Sequence, residues 1–403
     1  MKMNIPFSPP YIDASVEAEV LDSLRSGWIT SGPKVQALER AVEAYMGIDA
    51  CACVNSWTSG AIMMLRWFGI GAGDEVIVPA YTYAATALAV LHAGATPVMV
   101  DVTEDFIMDP SKVEAAITGK TKAILPVDIG GWPADYEAIR ALCESNSAKF
   151  VARTEIQKKL GRILIISDAA HSFGAITNGQ KFNPFADVVI YSFHAVKNLT
   201  TAEGGAICLN LPAPFNNIEL KPLIKRYALN GQTKDALAKS QAGSWRYDIV
   251  ELGFKYNMPD VCAAIGLAQI GNYDELLQKR AAVFKHYQTC FKLHEWAIPP
   301  AYKNETKESS YHLYMLRIKD ITEDQRDAII STISANGVSV NVHFIPMPML
   351  TLFKSMGYRI NDYPSTYQNY ACEISLPIYP QLTEVELEYI CKTVIEAVKK
   401  ITK

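Results

Sequence analysis

A chain of 403 residues with 49% hydrophobic content can bury a large core, as two or three domains or as one large α/β domain with an appendage. Its formal net charge of -4, with both signs interspersed, leaves no basic stripe for nucleic acid and no acidic tail. The opening residues lack the apolar core of a secretion signal, and the most apolar stretch, 84–100, is broken by His92, Gly94 and Pro97, so no membrane span is expected and the chain reads as soluble and cytoplasmic.

In chain order, 6–12 reads as an extended lead-in and 15–26 as a helix capped at Ser15. A loop, Gly27-Trp28-Ile29-Thr30-Ser31-Gly32-Pro33, mixes aromatic and hydroxyl side chains, which suits a polar ligand as well as a plain Gly/Pro turn. A helix at 35–45 precedes a regular alternation. Strands are predicted at 51–54, 75–78, 97–100, 123–127, 163–167 and 187–193, with helices at 60–68, 83–93, 110–117 and 134–144. That order implies a mostly parallel sheet with helices on both faces, and ligands of such sheets bind at the carboxyl ends of the strands. Past Gly231 the texture changes. Residues 234–247 are polar, 258–287 reads as one long helix or two in line with Pro259 in the first turn, and strand, helix, strand and helix (311–319, 323–336, 339–344, 384–399) form a small α+β unit. The division expected is a large domain at 1–255 and a smaller one at 256–403.

Eight cysteines are scattered, several inside apolar runs where a reduced thiol packs as a small hydrophobe. Cys51-Ala52-Cys53 is too tightly spaced for a zinc knuckle and no second pair follows, so no metal is expected.

The chemistry concentrates after the strands. The run ending at Phe193 delivers Lys197 in a polar turn, and Gly204-Gly205 opens another apolar run. A desolvated lysine has a lowered pKa and can attack a carbonyl, although for a lysine taken alone a solvated loop tip is commoner. Asp168 closes the preceding apolar strand, with one strand of chain between the two residues. As an isolated pair they read more readily as an ion pair. Pyridoxal phosphate needs both, a lysine for its aldehyde and an anion for its pyridine nitrogen. The turn Asn55-Ser56-Trp57-Thr58-Ser59-Gly60 brings hydroxyls and a helix N-terminus together where an anion would sit, or else Thr58 or Ser59 simply caps the helix. Tyr83, after the next strand, can stack on a flat ring or belong to the core.

Several longer motifs accompany these residues: 26–33, Gly73-Asp74-Glu75-Val76-Ile77-Val78-Pro79, Asp168-Ala169-Ala170-His171, Ser192-Phe193-His194 with Lys197-Asn198, Glu203-Gly204-Gly205, Lys255-Tyr256-Asn257 and Leu376-Pro377-Ile378-Tyr379-Pro380. On them the chain resembles, nearly end to end, the DegT/DnrJ/EryC1/StrS family of sugar-nucleotide aminotransferases, a branch of the fold-type I pyridoxal-phosphate enzymes. Its wording is similar to enzymes that aminate a 4-keto sugar on UDP, including the one that forms 4-amino-4-deoxyarabinose.

The resemblance implies that Lys197 binds pyridoxal 5'-phosphate as an imine and later moves a proton. It further implies that Asp168 holds the pyridine nitrogen, His171 lies by the ring hydroxyl, Tyr83 stacks on the ring, and Thr58, Ser59 and Ser192 bind the phosphate. Asn257 would reach the phosphate of the neighbouring subunit, which implies a homodimer with shared active sites. Trp28, Thr30 and His343 are candidate contacts for a nucleotide sugar, and an amino acid, glutamate, is the implied donor. Three departures stand out: Trp57 where the family has a small residue, Asp128 where it has histidine, and Ser167 where glutamate is common. The segment 145–161 reads as a solvated helix, or as a loop near the partner or nucleotide. Two rivals remain, a dehydratase on the same scaffold, which would carry histidine at the lysine position, and a silent regulator, which would have lost Lys197 or Asp168.

Overall fold

The computed structural model describes residues 2–234 and 245–402. Its centre is a seven-stranded sheet in the order β1 (Cys51–Val54), β8 (Gly205–Leu209), β7 (Val188–Ser192), β5 (Leu164–Asp168), β4 (Thr121–Ile124), β2 (Glu75–Pro79) and β3 (Thr96–Val100). β8 is antiparallel to both its neighbours and the other pairings are parallel. The sheet is buried on both faces because its strands run mostly apolar rather than alternating apolar and polar. In β5, Ile165 joins one core cluster with helix α2 (Pro33–Met46), while Leu164 and Ile166 join the other with α3 (Trp57–Trp67) and α4 (Ala85–His92).

The short strands β6 (Ile176–Thr177) and β10 (Lys307–Glu308) pair apart from this sheet. A third sheet, β12 (Glu373–Leu376), β11 (Tyr314–Ile318) and β9 (Ala297–Ile298), packs under helices Tyr273–Phe291, Glu323–Ala335 and Glu384–Ile401. Ile5 belongs to that core, because the lead-in pairs with the chain at Val338. No helix among the described residues is long and apolar enough to cross a membrane.

Several expectations change in detail. The first helix, α1 (Ala14–Ser26), is capped by Asp13 and not by Ser15: the Asp13 carboxylate accepts from the N–H groups of Ser15 and Val16. α3 starts three residues early because Ser56 caps it, accepting from Ser59 N at 3.0 Å. α4 begins at Ala85, which leaves Tyr83 in the loop. The region 258–287 is two helices, Asp260–Gly271 and Tyr273–Phe291. A helix, Asn217–Tyr227, forms where the sequence reading assigns nothing, since Pro222 within it interrupts the apolar pattern. The strand expected at 339–344 reduces to one bridge, Asn341 to Ser375.

The segment 145–161 is a 3-10 turn, Ser147–Lys149, and a helix, Glu155–Leu160. It sits by the amino ends of the strands, with Gln157 buried on the Phe68 carbonyl and Arg153 on Asp74. The polar stretch 234–247 lies mostly outside the described residues.

Candidate active site

The turns that leave β1, β2, β5 and β7 surround a cavity of about 440 Å³. Thr58, Tyr83, Asp168, His171, Ser192, Lys197 and His343 line it, so seven of the expected positions meet although the chain separates them widely.

Their placement follows from strand ends. Asp168 is the last residue of β5 and only 4% exposed. Its Oδ2 accepts from Thr86 Oγ1 at 2.8 Å and its Oδ1 from Ala170 N at 3.3 Å. Burial pushes this carboxyl up to about 7, opposed by those two donors and by Lys197. Lys197 follows β7 in a turn closed by its own N–H to the His194 carbonyl at 2.9 Å. Burial lowers its amine to about 8, with Asp168 pulling the other way. Among the described residues Nζ has no hydrogen-bond or ion-pair partner. A desolvated amine left unpaired at a cavity wall is unusual for lysine and suits a covalent attachment point.

His171 accepts from Gly130 N at 3.2 Å through Nδ1, which places its ring proton on Nε2. Burial first, then Lys197 and His343, hold it well below the usual imidazole range. Its ring centre is 4.4 Å from that of His312, whose Nδ1 meets Asn198 Oδ1 at 2.9 Å. Since the Asn198 amide nitrogen donates to the Ser310 carbonyl, its oxygen accepts, and His312 carries its proton on Nδ1.

The anion-binding turn presses against the lysine's hairpin. A side chain on Gly205 would lie 2.8 Å from the backbone of Ser56, 2.9 Å from Trp57 N and 2.7 Å from the Tyr191 carbonyl, so only glycine allows this approach. Trp57 is 5% exposed and lines the cavity. Tyr83 is 63% exposed beside Phe344, at 5.6 Å between ring centres, where its face is free to meet a flat ligand. The unpaired amine, the buried carboxylate and the N-terminus of α3 are the donor set that pyridoxal phosphate requires.

Four expected residues do not line this cavity. Ser59 is turned into the cap, its hydroxyl 2.7 Å from that of Ser56. Asn257 donates to Ser31 Oγ at 2.7 Å and faces a separate cavity of about 280 Å³ beside Lys225 and Arg226. Trp28 packs over Gly32, and Thr30 is exposed while its carbonyl accepts from Asp260 N. Asp128 is absent from the wall too. It is buried and saturated by Ala134 N, Tyr136 OH and Ser172 Oγ.

Sequence reasoning missed Thr86, His312 and Phe7. Thr86 lies four residues after Thr82, in the first turn of α4, with the two hydroxyls 3.1 Å apart. Phe7 offered no signal, because it arrives through the pairing of the lead-in with Val338.

Comparison with known proteins agrees with this geometry. Residues 10–395 match the DegT/DnrJ/EryC1/StrS aminotransferase family. The spore coat polysaccharide biosynthesis protein SpsC of Bacillus subtilis is 33% identical over 99% of this chain and 97% of its own length. Spr1654 of Streptococcus pneumoniae, assigned as a sugar aminotransferase and solved in its PMP form, superposes with a TM-score of 0.95 at 43% identity, covering 99% of this chain and 100% of its own. A PLP form of Spr1654 superposes at 0.94. Helicobacter pylori PseC, an aminotransferase involved in the biosynthesis of pseudoaminic acid, superposes at 0.86 with 26% identity, covering 99% of this chain and 100% of its own. The chain therefore belongs to the DegT/DnrJ/EryC1/StrS aminotransferase family, as a pyridoxal-phosphate-dependent enzyme of fold type I.

Proposed function

We propose that this enzyme transfers an amino group from an amino acid, glutamate, to the keto carbon of a sugar carried on UDP or dTDP. The observation that carries the reading is the unpaired, desolvated amine of Lys197 in one cavity with Asp168. Sugar chemistry is supported by the names of SpsC and PseC. When bound, pyridoxal phosphate supplies an electron sink that makes the α-proton of an amino acid removable.

The chain's own residues have the following parts in this reading. Lys197 anchors the cofactor and, once released, takes up and returns the proton, for which an amine near pH 8 is suited. Asp168 faces the pyridine nitrogen as an anion, held in place by Thr86 and Ala170 N. Thr58, Ser192 and the start of α3 take the phosphate, Tyr83 covers the ring, and His171 stands at its edge. Asn257, outside its own chain's cavity, supports a homodimer in which it serves the neighbouring phosphate site. Trp245, 70% exposed, and Leu252, 86% exposed, offer such a contact an apolar surface. The division into 1–255, holding the cofactor, and 256–403 belongs to the same proposal, as does a cytoplasmic setting.

Retention of both Lys197 and Asp168 speaks against a dehydratase and against a silent regulator. The test offers a panel of UDP- and dTDP-linked keto sugars with glutamate and follows 2-oxoglutarate. We expect turnover with at least one 4-keto sugar nucleotide. Turnover only with sugars lacking the nucleotide refutes that part of the assignment.

A further inference from the structure

Three residues outside the cofactor set form a buried chain that ends at the cavity. The single bridge between Asn341 and Ser375, with N–H···O contacts of 3.1 and 2.8 Å, registers His343 opposite Glu373. His343 N donates to Glu373 Oε2 at 3.1 Å, Ser375 Oγ bonds Glu373 Oε1, and His343 Nδ1 lies 2.9 Å from Ser375 Oγ. Glu373 and Ser375 are both 0% exposed. His343 lines the cavity, its ring stacked on Phe7 at 5.4 Å, and with Nδ1 engaged behind it Nε2 is the nitrogen left for a ligand.

We propose that Glu373, acting through Ser375, sets the tautomer of His343 and so decides whether this ring offers the substrate a hydrogen-bond donor or an acceptor. The inference rests on the aminotransferase reading only in naming the ligand, an oxygen of the bound substrate. With Glu373 ionised, Ser375 donates to it and accepts from His343 Nδ1–H, so Nε2 is an acceptor. With Glu373 protonated, the carboxyl donates to Ser375, Ser375 donates to Nδ1, and the proton sits on Nε2. That form pairs with an acceptor-only oxygen such as a ketone, carboxylate or phosphate.

Burial pushes Glu373 up to about 8, against the pull of Ser375, His343 N and Arg326, which is buried on helix Glu323–Ala335. Tyr81 after β2 and Cys372 beside it are the other titratable groups coupled to this site, and burial raises both. Burial and Lys197 push His343 down to about 3, so the ring stays neutral while its proton changes nitrogen. The Lys197 amine, when released from the cofactor, titrates in the same range as Glu373. A pH profile alone therefore does not identify the carboxyl. Glu373→Gln does, because Lys197 is intact in both proteins. The amide oxygen keeps the His343 N–H, the amide nitrogen donates to Ser375, and the ring is locked with Nε2–H at every pH.

The test uses holoenzyme labelled with [15N]histidine, with the His343 resonances assigned by His343→Gln, between about pH 6 and about pH 9.5. We expect the wild-type ring to exchange its protonated nitrogen within that range and Glu373→Gln to hold one pattern throughout. Ser375→Ala, a milder change, should abolish the pH response as well. A wild-type ring with a fixed tautomer, or one that responds identically in Glu373→Gln, overturns the proposal. No substrate enters this measurement, so it stands or falls apart from the substrate assignment. With an accepted sugar nucleotide in hand, its KM should rise roughly two- to tenfold across the transition in wild type and stay level in Glu373→Gln. An equal rise in both refutes the role in binding.

Discussion

Asp168 and Asp128 stand at the ends of neighbouring strands, each about 4% exposed, and the Asp128 N–H even donates to the Asp168 carbonyl at 3.1 Å. Burial raises both carboxyls, to about 7 and about 6. Their partners separate them. Asp128 is enclosed by three donors, Ala134 N, Tyr136 OH and Ser172 Oγ, with Tyr136 OH shared with Ser167. Asp168 has fewer donors and opens onto the cavity that contains an unpaired amine. Equal burial thus conceals unequal satisfaction: Asp128 is saturated by its own framework, and Asp168 keeps acceptor capacity toward the cavity, as its proposed part with the cofactor requires.

The comparison sharpens most at its cationic neighbour. Lys197→Ala should abolish the cofactor's visible absorbance and lower transamination roughly ten-thousandfold. In the wild-type apoprotein the rate of cofactor attachment should climb as pH rises through about 8, because only the neutral amine attacks. A rate independent of pH breaks this account of the lysine.

Asp168→Asn should retain cofactor but lower turnover roughly a hundredfold or more. It should also stabilise the apoprotein at alkaline pH. A carboxyl raised from 3.8 to about 7 contributes stability at low pH that is lost as pH climbs through about 7, and asparagine removes that loss. The gain at pH 8 is on the order of 2–4 kcal/mol, read from the denaturant midpoint. Asp128→Ala should do the reverse, costing about 2–4 kcal/mol by stranding three buried donors while the folded fraction keeps its turnover within about tenfold. Tyr136→Phe, which removes one of those donors and its contact with Ser167, should cost about 1 kcal/mol with unaltered kinetics. An Asp128 variant that folds normally and loses transamination would erase the distinction.

Those two aspartates also mark how far the sequence is readable. That Asp168, Lys197 and the turn at 55–60 would share one cavity was legible because each stands at or just after the end of a mostly apolar strand, and ligands gather at such ends. The mostly parallel sheet was legible for the same reason. Asp128 stands out only as a departure from the family's histidine, because nothing local reveals that Tyr136 and Ser172 converge on it. The departures at 128 and 167 prove to be one adjustment, since both side chains meet the Tyr136 hydroxyl. His343 was anticipated, but its support at Glu373 and Ser375 was not. A strand expected at 339–344 is a single bridge, and such a contact leaves no periodic trace in either segment. Asn257, Trp28 and Thr30 lie away from their own chain's cavity, a placement that depends on loops whose geometry no pattern encodes.

The lead-in has a consequence for how the enzyme is made. Ile5 pairs with Val338, and Phe7 lies against His343 at the cavity wall. Residues 5–7 must therefore wait for more than three hundred later residues before their partners exist, although the strands carrying Asp168 and Lys197 are complete well before then. The cavity wall is thus completed only once the chain has been made through His343, long after Asp168 and Lys197 are in place.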